Sequence, residues 1–452
     1  MASRTKRFGR IKSRVGERHL IKQLIGQAGL KIRAGDGCEE QGHKEMLSTP
    51  LFYPANPGDK LLLLDTDYKF NVATYRPEAE DRWIYTYDYA PDQSWTIYNK
   101  DLNADSYRQE EYIFTGHVYF RICLRKLNGE NFNNTEDINT ILRFETNPSV
   151  QTKKKWLINE VERVTEQVNS LQEKNDMKLI VITDTHYNVN GTWDDTCNAI
   201  NELSKRIKFD GIIHLGDFTD GMVTKEATKH YAKLVLNDLK RTGLPVWVAL
   251  GNHDVNYFKN NPEPFSPVEQ SQVYLDGKAI RYHADLDGLR FIFIDSYDIS
   301  ETLRYGYSEE CIKWLDNTLI STPANSKTII FSHLPPLTRL QFWTDELRGE
   351  SKLNEIIKQH KEKILAWING HNHADNIDND EDYPIVAIVN AKCEAFTDYK
   401  PKCSIIPDRK LDSVSQEAFD IILVNAKNKK IKFLRFGAGK DRVIINNEVR
   451  WE

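Results

Sequence analysis

With 452 residues the chain is too long for one ordinary core, and its 40% hydrophobic residues can bury more than one. A net charge of −5, from 61 Lys and Arg against 66 Asp and Glu, implies no global attraction to nucleic acid. The six cysteines, at 38, 123, 197, 311, 393 and 403, stand singly without a CxxC pair, which argues against a disulfide framework or a cysteine zinc site. No apolar stretch is long enough to span a bilayer, and the amino terminus lacks the apolar core of a secretion signal. A soluble protein, not exported by that route, is expected.

Residues 1–33 hold ten Lys or Arg against one acidic residue, Glu17. Ile11, Val15, Leu20-Ile21 and Leu24-Ile25 have helical spacing, so a basic helical arm is expected, able to touch nucleic acid, an acidic membrane or an acidic partner. A solvated helix packed in an assembly is the favoured reading. Residues 34–150 then show short alternating or aromatic runs: Lys60 to Leu64, Lys69 to Tyr75, Trp83 to Tyr87, Glu111 to Phe114 and Val118 to Leu124. Turn signals such as Asn128-Gly129 separate them, and the pattern predicts a small β-sandwich. Lys153 to Glu173 predicts a linker helix over residues 151–175. Its Leu157, Val161, Val164, Val168 and Leu171 fit either a short coiled coil or a helix lying on the next domain.

Residues 176–440 alternate continuous apolar runs with helix-like stretches such as Asp194 to Lys208 and Lys225 to Arg241, which predicts buried strands of a layered α/β domain. Pro384 to Asn390, Ala418 to Asn425 and Lys430 to Arg435 are read as strands closing the second sheet, and residues 441–452 as an exposed tail. Five of the apolar runs stop at residues rich in metal-ligand chemistry: Met177 to Thr183 before Asp184-Thr-His186, Gly211 to Leu215 before Gly216-Asp217, Pro245 to Leu250 before Gly251-Asn-His-Asp254, Thr328 to Ser332 before His333, and Ile364 to Ile368 before Gly370-His-Asn-His373. In α/β sheets the ligand site lies beyond the carboxyl ends of the strands, so these segments can converge. Carboxylate, imidazole and one amide oxygen suit Mn²⁺, Fe, Zn²⁺ or Mg²⁺ and are poor for soft copper. Two cations about 3.5–4 Å apart need a shared anionic ligand, and Asp217, after a turn-forming glycine, is the natural bridge. His214 reads as packed or supporting, His230 and His360 as solvated, and His283 as a residue that could border the cleft. His19, His43 and His117 lie outside this domain.

The order D-x-H, G-D-x-x-D, G-N-H-D, H and G-H-x-H, filled from Asp184 to His373, resembles the calcineurin-like metallophosphoesterase superfamily, over roughly Lys178 to Phe436. The resemblance implies a four-layer β-sandwich flanked by helices and two divalent metal ions. It assigns Asp184, His186 and His373 to one metal, Asn252, His333 and His371 to the other, and Asp217 to the bridge. His253 would protonate the leaving alkoxide, oriented by Asp220. The Ser/Thr protein phosphatases of this superfamily carry an arginine after the second aspartate of G-D-x-x-D, where this chain has Gly221, so a phosphoprotein phosphatase is not expected. Arg304 and Arg339 could bind phosphate instead, or be ordinary surface arginines. Val255 to Gln272 and Leu337 to Leu347 are expected to form the substrate rim.

Leu47 to Phe132 also resembles a β-rich accessory module of Gram-positive phage and prophage tail proteins, through Gly58-Asp-Lys60, Tyr68 to Tyr75 and Val118 to Arg125 followed by Asn128-Gly129. The expected function is hydrolysis of a phosphate ester, most of all a diester, by metal-bound hydroxide. The second resemblance points to a virion-associated enzyme that cleaves a host surface polymer such as teichoic acid, with virion proteins or further copies of the chain as partners through the amino-terminal region. The alternatives are a cytoplasmic nucleotide or small-molecule phosphoesterase, and a structural virion protein or adhesin that binds without cleaving. A nuclease is disfavoured because no basic run adjoins the site.

Overall fold

The computed structural model describes residues 20–22, 24, 26–32, 39–49, 53–55, 58–65, 67–75, 96–97, 111–114, 118–133, 136–146, 154–187, 192–221, 225–381, 383–389, 392, 409, 413–446 and 448–451. They fall into two compact units, one ending at Lys154 and the other beginning at Lys155.

The first unit consists mainly of two antiparallel sheets. One is ordered Leu20–Lys22, Leu142–Thr146, Lys60–Leu63, Glu111–Ile113. The other runs Gln27–Ile32, Glu39–Ser48, Val118–Lys126, Tyr68–Tyr75, Thr96–Ile97, with Tyr53–Ala55 also paired to Val118–Lys126. Strand alternation places Phe144 of the first sheet and Phe120 of the second on facing surfaces, their ring centroids 4.8 Å apart, and Phe114 lies 4.6 Å from Phe120. The expected sandwich strands are found, except that Trp83 to Tyr87 lies outside the described residues. The expected helix is corrected in its described part: Leu20–Lys22 pairs with Leu142–Thr146, and Gln27–Ile32 with Glu39–Ser48. Gly26 and Gly29 interrupt the helical spacing, Gly29 at φ +84° beside a register shift in the ladder. Residues 1–19 of the arm lie outside the described residues.

The second unit is built on two mixed sheets. Seven strands follow the order Val246–Val248, Gly211–His214, Met177–Ile182, Ala418–Asn425, Lys430–Gly437, Arg442–Ile445, Glu448–Trp451. Six follow the order Tyr282–Leu286, Leu289–Phe293, Lys327–Phe331, Ile364–Asn369, Val386–Ile388, Asn376–Asp378. The central strands are apolar on both faces because both are covered. Leu179 and Val181 point into a core shared with Phe291, Phe331 and Ile368 of the other sheet. Ile180 and Ile182 point outward, under the helices Lys155–Leu171, Trp193–Arg206, Lys225–Lys240 and Pro267–Tyr274. On the far side Glu309–Ile320 and Glu350–His360 cover the six-stranded sheet. Helix, sheet, sheet and helix make the expected four layers.

Two expectations change with this architecture. The apolar seam of the linker helix, Leu157, Val161, Val164 and Val168, is buried in the core of its own unit, so it seals the sheet and is not a coiled-coil surface. Residues 441–452 are no exposed tail: Arg442–Ile445 and Glu448–Trp451 are strands, with Arg442, Val443 and Ile444 buried. Ala418–Asn425 and Lys430–Gly437 likewise join the first sheet, beside Met177–Ile182, and not the second. Among the described residues no helix is long and apolar enough to cross a membrane, and Cys123 and Cys311 form no disulfide.

Candidate metal centre

Each ligand-bearing loop follows a parallel strand whose apolar side chains lock its direction. Asp184 and His186 follow Met177–Ile182, Asp217 follows Gly211–His214, and Asn252 and His253 follow Val246–Val248. From the other sheet, His333 follows Lys327–Phe331, and His371 and His373 follow Ile364–Asn369. The loops turn so sharply that Asp184, His186, Asp217, His371 and His373 all have positive φ, between 40° and 71°. Backbone strain of this kind persists only where the surroundings impose it, and it gathers at functional sites. Two glycines make the close approach possible: a Cβ on Gly251 would lie 2.1 Å from Asp217 Oδ1, and one on Gly370 would lie 2.0 Å from Thr183 Oγ1.

The side chains converge as two buried triads, Asp184, His186 and His373, and Asp217, His333 and His371, the ligand atoms of each within 4.8 Å of one another. His373 Nε2 is 3.1 Å from Asp184 Oδ1, and His333 Nε2 is 3.0 Å from Asp217 Oδ2. The triads adjoin, for His333 Nε2 also lies 3.7 Å from Asp184 Oδ1 and His186 Nε2 3.8 Å from Asp217 Oδ2. His186 and His373 face each other through Nε2 at 3.4 Å, and His371 Nδ1 faces His333 Nε2 at 3.2 Å. Asn252 Oδ1 and His371 Nε2 are buried with no hydrogen-bond partner, a costly state that a cation would relieve. Carboxylates, imidazoles and an amide oxygen thus fit hard to borderline divalent ions.

Surrounding groups fix these side chains. Thr183 Oγ1 and the His371 backbone N–H donate to Asp184 Oδ2 at 2.6 and 3.0 Å. His333 Nδ1 donates to the Leu215 carbonyl at 2.8 Å, which directs Nε2 inward. Burial opposes the charged form of His333, but Asp217 and Asp184 outweigh it and push its pKa up to about 9. Burial also raises Asp184 and Asp217, yet the histidines around them, His333 first, hold both below the usual range. His186 and His371 are driven well down by burial, aided by His253 and His333 respectively.

His253 stands beside the triads. Its backbone N–H donates to Asp217 Oδ1 at 2.8 Å, and its Nε2 lies 3.8 Å from Asp217 Oδ2. Its orienting contact differs from expectation: Nδ1 donates at 2.5 Å to the backbone carbonyl of Asp220, not to the carboxylate. A carbonyl only accepts, so Nδ1 carries the hydrogen and Nε2 is left to gain or lose a proton.

Two supporting residues were not assigned these roles from sequence. Asp254, fully buried, accepts the backbone N–H groups of Asp217, Phe218 and Gly251 at 2.9, 2.9 and 2.8 Å. Trp343 donates its indole N–H to the His371 carbonyl at 3.0 Å while remaining 43% exposed, which places the Leu337 to Leu347 segment at the centre's edge as expected. His214 is the packed support expected of it, with Nε2 2.6 Å from Thr185 Oγ1, Nδ1 accepting from the Gly216 N–H, and its ring stacked on Phe218. Burial lowers its pKa to about 3. His360 is not solvated, since Nε2 meets Asp316 Oδ1 at 2.8 Å, and His230 is half-buried; His283 is exposed. Arg339 is taken up by Asp378 and Asp380 at 2.5 and 3.1 Å.

Two adjoining acid–imidazole triads between paired sheets define the class of the site, a candidate dimetal centre. Residues 177–375 match the family model described as calcineurin-like phosphoesterase, and this part of the chain is a calcineurin-like phosphoesterase domain. No curated protein matched the chain. Similar solved structures include a dimetal phosphatase from Danio rerio (15% identity, TM-score 0.45, 60% of this chain and 98% of that one). Another is a phosphopantetheinyl hydrolase from Mycobacterium tuberculosis (12% identity, TM-score 0.33, 52% and 97%). A third is a putative 5'-nucleotidase from Staphylococcus aureus (9% identity, TM-score 0.34, 60% and 54%).

Proposed function

We propose that this protein hydrolyses a phosphodiester at two divalent cations, one held by Asp184, His186 and His373, the other by Asn252, His333 and His371, with Asp217 between them. The observation that carries this reading is the meeting of two buried triads beside the partnerless oxygen of Asn252. Cations bound there would neutralise charge on the phosphoryl oxygens and make water a competent nucleophile near neutral pH. The protein's own part is to hold the donors rigid from the rear, through Thr183, Leu215 and Asp254, and to exclude bulk water from the triads. His253, with Nδ1 fixed on the Asp220 carbonyl, presents Nε2 to protonate the departing alkoxide. The favoured substrate is a polyol-phosphate polymer such as a teichoic acid, cleaved by a virion-associated enzyme. That reading draws on the amino-terminal unit, whose strands Tyr68–Tyr75 and Val118–Lys126 carry the resemblance to phage tail modules.

The test compares a nitrophenyl diester, its monoester and glycerol-phosphate teichoic acid, using metal-stripped protein to which Mn²⁺, Zn²⁺ or Mg²⁺ is returned. Metal-dependent cleavage of diester and polymer is expected. Cleavage of the monoester alone would replace this reading with a small-molecule phosphoesterase, and metal binding without turnover would replace it with a binding or structural role.

A further inference from the structure

The loop that leaves the strand Leu289–Phe293 returns past the metal centre and carries Tyr297, Arg304 and Tyr305. Tyr297 and Tyr305 form a bridge, their rings 5.1 Å apart, and Asp298 N–H donates to the Arg304 carbonyl at 2.9 Å, so the loop is closed on itself. The Tyr305 ring lies 5.7 Å from that of His371. Burial raises both phenols, and the Asp217 carboxylate is near enough to add to each shift. The Arg304 guanidinium sits 4.8 Å from the centroid of Tyr257, which follows the Asn252-His253 turn, and its charge is near enough to the Tyr297 phenol to offset part of that rise.

Neighbouring arginines are neutralised: Arg281 by Asp295, Arg290 by Asp285, Arg339 by Asp378 and Asp380, and Arg348 by Glu301. None of these ion pairs involves Arg304. A guanidinium on a ring face keeps its in-plane N–H donors. The turn after Asp220 cannot supply a cation in its place, because Gly221 has φ +70° and a Cβ there would lie 2.8 Å from the His253 carbonyl oxygen.

We propose that Arg304, seated on the ring of Tyr257, is the substrate-binding residue that donates to the phosphoryl oxygens of a phosphate ester at the metal centre. This rests on the hydrolytic reading above. The Tyr257 ring helps to set the guanidinium's position in advance, so less side-chain freedom is lost on binding.

The test measures inorganic phosphate binding by calorimetry, and KM and kcat for bis(4-nitrophenyl) phosphate, in the metal-loaded wild type, Arg304→Gln and Arg304→Lys. Arg304→Gln should weaken phosphate binding and raise KM by about 10- to 100-fold, the worth of a charge-assisted hydrogen bond, with kcat falling less. Its metal content and thermal midpoint should match wild type, and Arg304→Lys should recover part of the affinity. Phosphate affinity in Arg304→Gln within about two-fold of wild type, no more than about 0.4 kcal/mol, would overturn the assignment. So would a loss of metal in parallel with the loss of phosphate. If the wild type binds phosphate through Arg304 but cleaves no ester, the Arg304 assignment stands and the hydrolytic reading falls.

Discussion

Asp217 meets several neighbours at once: Oδ1 accepts the His253 N–H at 2.8 Å, while Oδ2 lies 3.0 Å from His333 Nε2 and 3.8 Å from His186 Nε2. An anion in that place is positioned to serve both triads. Asp217→Asn should therefore lose bound metal and most activity together. His253→Ala should keep its metal and slow kcat by about 10²–10⁴-fold, the usual worth of a general acid. Elemental analysis beside kcat separates the two, and full activity in either variant would contradict the bridging and proton-donating roles. Asp254 makes a different prediction, because removing it strands three buried N–H groups at about 1–3 kcal/mol each. Asp254→Ala should lower stability by on the order of 3 kcal/mol or more in urea unfolding, and Asp254→Asn, which keeps one acceptor oxygen, by less. The residues that meet in the two triads were legible in the sequence because each follows an apolar strand. The support that Asp254 provides was not, since it depends on backbone groups 36 and 37 positions away.

At the scale of elements, the linker helix is held at its carboxyl end by Glu173, which meets Lys430 at 2.6 Å and Asn428 at 3.0 Å on the Ala418–Asn425 to Lys430–Gly437 hairpin. Those bonds, Lys430 first, lower the Glu173 pKa from 4.5 to about 2. A carboxylate depressed by folding stabilises above its unfolded pKa and loses that contribution as pH falls through the folded one. Thermal midpoints should thus fall between pH 4.5 and about 2 less steeply in Glu173→Gln than in wild type. The effect should be modest, because the side chain is 35% exposed and salt screens it. Identical slopes would remove Glu173 as a tether. The helix itself was legible from its apolar spacing, but spacing alone does not say whether a seam faces another chain or its own sheet. Val161, Val164 and Val168, all fully buried against the first sheet, answer that.

Across the whole second unit, the four strands from Ala418 to Trp451 complete the seven-stranded sheet and support the loop that bears His371 and His373. Asp375, two residues beyond His373, meets Arg435 at 2.5 Å; Arg435 and Arg442 both engage Asp420, at 2.9 and 2.5 Å, and all four are buried. Arg435→Met would leave Asp375 and Asp420 short of a counter-charge. A loss of about 3–5 kcal/mol is expected in denaturant unfolding. An unchanged midpoint would show the network to be dispensable. None of these four was singled out from sequence, because their pairing depends on segments brought together over 15 to 60 positions. The closing strands Arg442–Ile445 and Glu448–Trp451 escaped notice for their shortness, four residues each. The layered α/β order was legible because long apolar runs alternate with amphipathic helices.

The measurement that bears most directly on the central claim counts metal ions per chain in wild type and Asp217→Asn while following bis(4-nitrophenyl) phosphate hydrolysis as metal is removed and restored. Two ions per wild-type chain, with hydrolysis lost on chelation, regained on reloading and absent from Asp217→Asn, is the predicted result. Undiminished hydrolysis by the metal-free protein, or by Asp217→Asn, would contradict a dimetal mechanism bridged by Asp217.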